Sequence, residues 1–204
     1  MYEHGHGLPR DEQQAVHWYR KAAKQGNPIE QDFLATMYSN GKGITKDKQQ
    51  AFHCYELAAR QGNVNGQFNL AVMYFLGTTV PKDETQAAGW YRKAAEQGHA
   101  QAQSNLGLMY ANGLGLPRDE KQAVCWFRKS AEQGEPRAQN SLGLMYANGR
   151  GVEQDQELAY FWHLMARAGG NDDVQKNIDL LEKKLTALQI RKIRADVSSR
   201  KALK

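Results

Sequence analysis

The 204-residue chain has only two cysteines, Cys54 and Cys125, too few for a disulfide framework. It lacks any apolar stretch long enough to cross a bilayer. The best run, Leu70 to Leu76, is short and contains Tyr74, and the mean hydropathy is -0.74. Its first residues, Met1-Tyr2-Glu3-His4-Gly5, have neither the basic start nor the apolar core of a signal peptide. Most of the chain also lacks net charge. Residues 171–204 carry nine basic and five acidic side chains, whereas the other 170 residues carry 18 and 17. The pI of 9.1 therefore describes a tail. A nucleic-acid binder would carry its basic stripe along the body. With 41% hydrophobic and 24% charged residues, the composition is that of a folded protein.

What the chain has is a repeat. Gly26, Gly62, Gly98, Gly134 and Gly170 recur every 36 residues. Tyr2, Tyr38, Tyr74, Tyr110 and Tyr146 keep the same period, as do Asp11, Asp47, Asp83, Asp119 and Asp155. All four tryptophans, Trp18, Trp90, Trp126 and Trp162, share one phase, and Cys54 fills the remaining slot. A fixed period of this length is the mark of a solenoid built from one repeated supersecondary unit.

The unit 99–134 reads as two helices. Ala102, Leu106, Gly107, Met109 and Tyr110 form a helical stripe over about Ala100–Ala111, closed by Gly113. Asp119 then supplies a side-chain acceptor for the free N–H groups of a second helix, with Gln122 three residues on. Ala123, Trp126, Phe127, Ser130 and Ala131 make its apolar side, and Gly134 ends it. Of 19 glycines, 14 punctuate hairpins in this way. Gly113-Leu114-Gly115 has no preceding strand and no third glycine, so it is not a dinucleotide loop.

The pattern A-Q-x-x-L-G-x-M-Y-x-x-G-x-G followed by D-x-x-x-A-x-x-W-Y-x-x-A-A-x-x-G resembles the Sel1-like repeats, relatives of tetratricopeptide arrays. It is nearly complete in 102–134 and 138–170 and looser in 30–62 and 66–98. The resemblance implies an all-α fold, a right-handed α/α superhelical solenoid of 36-residue hairpins with the first helices on the concave side. It also implies a non-enzymatic scaffold or adaptor role, in bacteria often in envelope or host-interaction processes. The expected division is a partial repeat at 1–26, full repeats at 27–62, 63–98, 99–134 and 135–170, and C-terminal capping helices with a basic tail at 171–204. Met1-Tyr2 aligns with the last turn of a first helix, as in Met37-Tyr38, so the sequence is expected to begin inside a longer protein. A complete chain would be cytoplasmic, and one that has lost an upstream signal would be periplasmic or secreted.

Positions that recur among units must pack, and positions that vary have no shared packing task. On the first helices the variable face holds Asp32, Thr36 and Asn40, then Phe68, Val72, Phe75 and Leu76, then Ser104, Leu108 and Asn112, then Asn140, Leu144 and Asn148. By the resemblance this is the concave surface, and a protein or peptide partner is expected there. The apolar set in 68–76 reads as a peptide anchor or as packing against neighbouring helices. The chain is expected to be a monomer.

Other signals are weaker. His4 and His6 lack a third ligand, so neither metal nor cofactor is expected. His17, His53, His99 and His163 read as surface or boundary residues, and the tryptophans as core. Cys54 reads as a small buried hydrophobe. The alternative function is enzymatic, a hydrolase resembling the cysteine-rich, antibiotic-hydrolysing branch with a bridge in each hairpin, a pattern that two cysteines do not reproduce. No Ser/His/Asp set or carboxylate pair stands apart from the repeat. Asp172 to Lys184 reads as a capping helix, with Asp179 and Glu182 in glycine and tyrosine slots. Thr186 and Gln189 offer a capping box to a further basic helix whose Leu188, Ile190, Ile193 and Val197 fold back on the array. Its charges, including Lys183, Lys184, Arg191, Lys192, Arg194, Arg200, Lys201 and Lys204, read as a solvated cap or as a contact for nucleic acid or anionic lipid.

Overall fold

The structure, a computed structural model, describes residues 12–202. The expectations resting on Met1-Tyr2, His4, His6, Asp11 and Lys204 lie outside the described residues. The described residues contain helices and no strand, and divide into two compact units, Met1–His99 and Ala100–Lys204.

The first unit holds α1 (Glu12–Lys24), α2 (Pro28–Asn40), α3 (Lys48–Arg60), α4 (Val64–Leu76) and α5 (Glu84–Glu96). The second holds α6 (Ala100–Asn112), α7 (Glu120–Glu132), α8 (Pro136–Asn148), α9 (Gln156–Ala168), a 3-10 turn at Asp172–Val174, α10 (Gln175–Glu182) and α11 (Ala187–Ala202). The hairpins are α2–α3 and α4–α5 in one unit, and α6–α7 and α8–α9 in the other.

The recurrent aspartates cap the second helices. Asp47 accepts from the Gln49 and Gln50 amides at 2.9 and 3.0 Å, Asp83 from Gln86 at 2.9 Å, Asp119 from Gln122 at 3.0 Å and Asp155 from Leu158 at 2.9 Å. The backbone N–H of each aspartate donates to the carbonyl of the recurrent tyrosine, Asp119 to Tyr110 at 2.9 Å and Asp155 to Tyr146 at 3.0 Å. Cap and turn thus lock together, which explains why the two residue types keep one period.

The second glycine of each G-x-G has a separate cause. Gly43 and Gly151 have φ of 69° and 67°. A Cβ on Gly43 would lie 2.5 Å from the Glu12 carbonyl oxygen, and one on Gly151 would overlap the Glu120 carbonyl. These loops seat directly on the start of the preceding second helix. Beside Gly151, the Arg150 guanidinium reaches Glu120 at 2.9 Å, and Arg118 and Arg150 hold that carboxyl below its usual range.

In the first unit, Leu34, Met37, Ala51, Tyr55, Ala59 and Leu70 belong to one buried cluster, and Cys54 joins it. In the second, Val124, Phe127, Leu142 and Met145 form one cluster, and Tyr160, Leu164, Ile178, Leu181, Ile193 and Val197 another. Alanines at helix contacts bring the backbones close.

A buried glutamine series joins these helices. Gln31 donates to the Ala23 carbonyl at 3.2 Å and accepts from Gln61 at 2.8 Å. Gln67 donates to Ala59 at 3.3 Å and accepts from Gln97 at 2.8 Å. Gln133 donates to Gln103 at 2.7 Å. Gln31 and Gln67 each bridge two second helices and are satisfied while buried. The series stops at Gln139, which donates to Ala131 at 3.1 Å. Gly169 stands where the next glutamine would be, and Gln139 Oε1 has no partner.

At the C-terminal end, Thr186 and Gln189 form a reciprocal capping box at 2.8 and 3.3 Å. Ile193 and Val197 are buried against α9, whereas Leu188 is 77% exposed and takes no part in that packing. Tyr160 donates to Glu182 at 2.6 Å, and Arg194 donates to both, at 2.9 Å to Tyr160 and 2.6 Å to Glu182. The glutamate in the tyrosine slot thus ties α9, α10 and α11 together, and Tyr160 and Arg194 hold its carboxyl low.

Two expectations are corrected. His163 is no surface residue but fully buried, in the slot that holds Tyr55, Tyr91 and Phe127 in other hairpins. The tryptophans lie at the edge of the core. Trp18 is 51% exposed and the other three are half-buried. Lysine ammoniums stand over three of the rings, 4.0 Å from the Trp90 centroid, 4.4 Å from Trp126 and 5.3 Å from Trp18.

Candidate functional site

In the first unit, α2 and α4 lie side by side, and the Asn69 amide donates to Asp32 at 3.4 Å. Asp32 is buried and burial pushes its carboxyl pKa up. Thr36 shares a 3.1 Å hydrogen bond with the Tyr55 hydroxyl, and Asn40 is exposed. On α4, Phe68 stacks on His99 with centroids 4.4 Å apart and lies 5.9 Å from the Tyr91 ring. Phe75 sits under the Lys82 ammonium at 5.6 Å, Val72 is half-buried, and Leu76 is 59% exposed. Phe68 is therefore engaged with side chains of its own unit, and Leu76 is the open apolar member of the set.

In the second unit, the facing surfaces of α6 and α8 border a groove of about 710 Å³ that extends to the end of α9 and the 3-10 turn. Ser104, Leu108 and Asn140 line it together, while Asn112, Leu144 and Asn148 do not. The latter two asparagines cap their own helices instead: Asn112 donates to the Leu108 carbonyl at 2.9 Å and Asn148 to Leu144 at 2.8 Å. Ser104 is buried at the groove floor, Leu108 is exposed on its rim, and the buried Oδ1 of Asn140 has no hydrogen-bond partner. An acceptor stripped of water and left unpaired is costly.

The groove also contains residues missed by comparison of the first-helix stripe alone. Arg137, Ser141, Asp172 and Asp173 line it. Arg137 aligns with Ile29, Asn65 and Gln101, so the same unit-by-unit comparison extended to the first turn would have found it. The groove's charged lining is Glu135, Asp172 and Asp173 against Arg137.

Among the described residues no group of three His, Cys, Asp or Glu side chains is placed to hold a metal ion, and no helix is long and apolar enough to cross a membrane. Cys54 and Cys125 are free thiols, the first buried and the second exposed.

The family model of the Sel1 repeat matches residues 1–27, 31–63, 64–99, 100–135 and 136–171. The chain belongs to the Sel1 repeat family. A solved Sel1 repeat protein from Oxalobacter formigenes is 39% identical, with a TM-score of 0.77 over 86% of this chain and 51% of that one. The solved c5321, a protective antigen present in uropathogenic Escherichia coli strains displaying an SLR fold, is 30% identical over 98% of this chain and 58% of that one, with a TM-score of 0.55. Cysteine rich protein B from Helicobacter pylori is 29% identical over 63% of this chain and 92% of that one, at a TM-score of 0.51. The chain thus spans between half and three fifths of the first two relatives. Comparison with curated proteins finds no match. Sel1 repeats form helical-hairpin solenoids and generally serve as protein-interaction scaffolds.

Proposed function

We propose that this Sel1 repeat chain is a non-enzymatic adaptor that binds a protein or peptide partner along its first helices. The contact residues are drawn from Asp32, Thr36, Asn40, Phe68, Val72, Phe75 and Leu76 in one unit and from Ser104, Leu108, Asn112, Asn140, Leu144 and Asn148 in the other. The groove between α6 and α8 carries the reading, because it joins an open leucine to a desolvated, unpaired amide oxygen. An extended peptide lays an apolar side chain on Leu108 and, once the Asn140 side chain turns outward, donates a backbone N–H to its Oδ1. Preformed helices bordering the groove keep the ordering cost on the receptor side small.

The test is capture of partners by the full chain, followed by the same capture with Leu108→Arg and with Asn140→Ala. Loss of a specific partner by both variants, with helicity intact, supports the assignment. Unchanged capture by both removes the groove from the binding site. Turnover of a chromogenic β-lactam by the purified chain would replace the adaptor reading with a hydrolytic one.

A further inference from the structure

Position 54 is the one tryptophan slot of the repeat that holds a different residue, and a cleft of about 430 Å³ stands beside it. The cleft lies between the second helices α1 and α3 and over α2, so it is separate from the first-helix face and independent of the function proposed there. Ala23, Leu34 and Tyr38 line it with Cys54 and Leu57, and Gln31, Gln50 and His53 add polar groups.

These residues are the counterparts, 36 positions earlier, of ones around Trp90. Ala23, Leu34 and Tyr38 align with Ala59, Leu70 and Tyr74. Trp90 packs on the buried cluster that includes Ala59 and Leu70, and Tyr74 packs on that cluster too. The cluster that contains the equivalent residues thus packs against an indole at Trp90, whereas the hairpin before it has a cleft beside Cys54. The ring's own cation is missing as well: Leu57 stands where Lys93 and Lys129 reach over Trp90 and Trp126. An apolar wall replaces an ammonium.

Positive charge comes to the cleft from α1. Arg20 and Lys24 line it, and no carboxylate does among the described residues. Arg20 is steadied by donating to the Tyr38 hydroxyl at 3.1 Å, with its guanidinium 5.8 Å from the Tyr38 ring. The thiol of Cys54 is buried and burial raises its pKa, so it acts as an inert apolar wall.

We infer that the cleft beside Cys54 receives an aromatic side chain, of indole size, from a partner protein whose neighbouring residue is a carboxylate. The ring takes the place that tryptophan holds in the sister hairpins, and the carboxylate meets Lys24 and Arg20. Aromatic anchors in preformed pockets are a recurrent way for small contacts to carry binding energy.

The probe is a blocked peptide, Ala-Asp-(5-fluoro-Trp)-Asp-Ala, followed by fluorine NMR against the full chain. Saturable binding is expected, and a peptide with lysine in place of both aspartates binds more weakly. Free indole-3-acetate binds more weakly than the peptide. Cys54→Trp fills the cleft and should weaken the peptide by about tenfold or more. Because that variant can fail to pack, Lys24→Glu on the rim supplies a second reading, reversing the preference between the aspartate and lysine peptides. The inference is overturned if the native chain shows no saturable binding at millimolar peptide. It is equally overturned if folded Cys54→Trp binds undiminished, or if Lys24→Glu leaves the charge preference unchanged. A concentration-dependent dimer abolished by Cys54→Trp would assign the cleft to a second copy and also end it.

Discussion

His163 should make the second unit acid-sensitive in a way its sister hairpins are not. Its ring is fully buried and neither nitrogen has a partner. Desolvation lowers the imidazole pKa from 6.5 to about 4, so the ring is neutral in the folded protein at neutral pH. The unfolded chain binds a proton through pH 6.5 while the folded chain does not until about pH 4. Stability from this residue is therefore intact above pH 6.5 and falls as pH drops towards 4, by about 3 kcal/mol in total. His163→Phe removes that dependence without new crowding. A Cβ on Gly143 would come 2.9 Å from the His163 ring, just as one on Gly107 would come 2.7 Å from the Phe127 ring, so the repeat already pairs phenylalanine with glycine at this contact. The variant should also gain about 1–3 kcal/mol at pH 7.5, because two unpaired ring nitrogens are replaced by carbon. Urea unfolding followed by circular dichroism, for both proteins at several pH values between 7.5 and 4, measures the difference. Acid effects shared by both chains cancel in it. A difference that stays constant across this range would refute the buried, neutral imidazole.

Leu106→Ala should cost about 2–5 kcal/mol, since Leu106 is fully buried, and thermal unfolding would report it. Asp119→Ala should cost about 0.5–2 kcal/mol by freeing the Gln122 amide, seen as a smaller drop in the same assay. Gln97→Ala leaves the Gln67 carbonyl oxygen without its 2.8 Å donor while 4% exposed, for a loss of about 1–3 kcal/mol in urea titrations of the full chain. Gly151→Ala should cost about 2–4 kcal/mol, combining a positive φ with overlap on the Glu120 carbonyl; near-neutral behaviour would show that the loop does not seat there.

The hairpins were legible because their punctuation is local. A tyrosine, a closing glycine and an aspartate cap follow one another along a single connection, as in Tyr110, Gly113 and Asp119, and each recurs in the sequence at the repeat spacing. The second glycine was visible as a repeat but not as a contact, because its partner, the carbonyl of Glu12 or Glu120, belongs to the preceding second helix. The tryptophans were misplaced for a related reason. Recurrence shows that a side chain has a constant neighbour, and here part of that neighbour is a lysine three residues on that holds the ring at the surface. His163 was missed because a single histidine in a tyrosine slot reads as a polar substitution until its surroundings are known.

The candidate sites follow the same logic in reverse. Variation along the first helices singles out Ser104, Leu108 and Asn140, which line one groove, but also Asp32, which is buried, and Phe68, which is stacked on His99. Variation marks release from the common packing task, and a released position can acquire a private one. The more informative departures are those in which a recurrent position loses its group and nothing among the described residues replaces it. Gly169 leaves the Gln139 oxygen unpaired, and Cys54 leaves the walls of a tryptophan slot without a ring. The first is a polar group that binding elsewhere cannot reach, since Gln139 is 2% exposed. The second opens to solvent beside two cations, and that difference in access is why the cleft beside Cys54, and not the end of the glutamine series, is the place to look for another molecule.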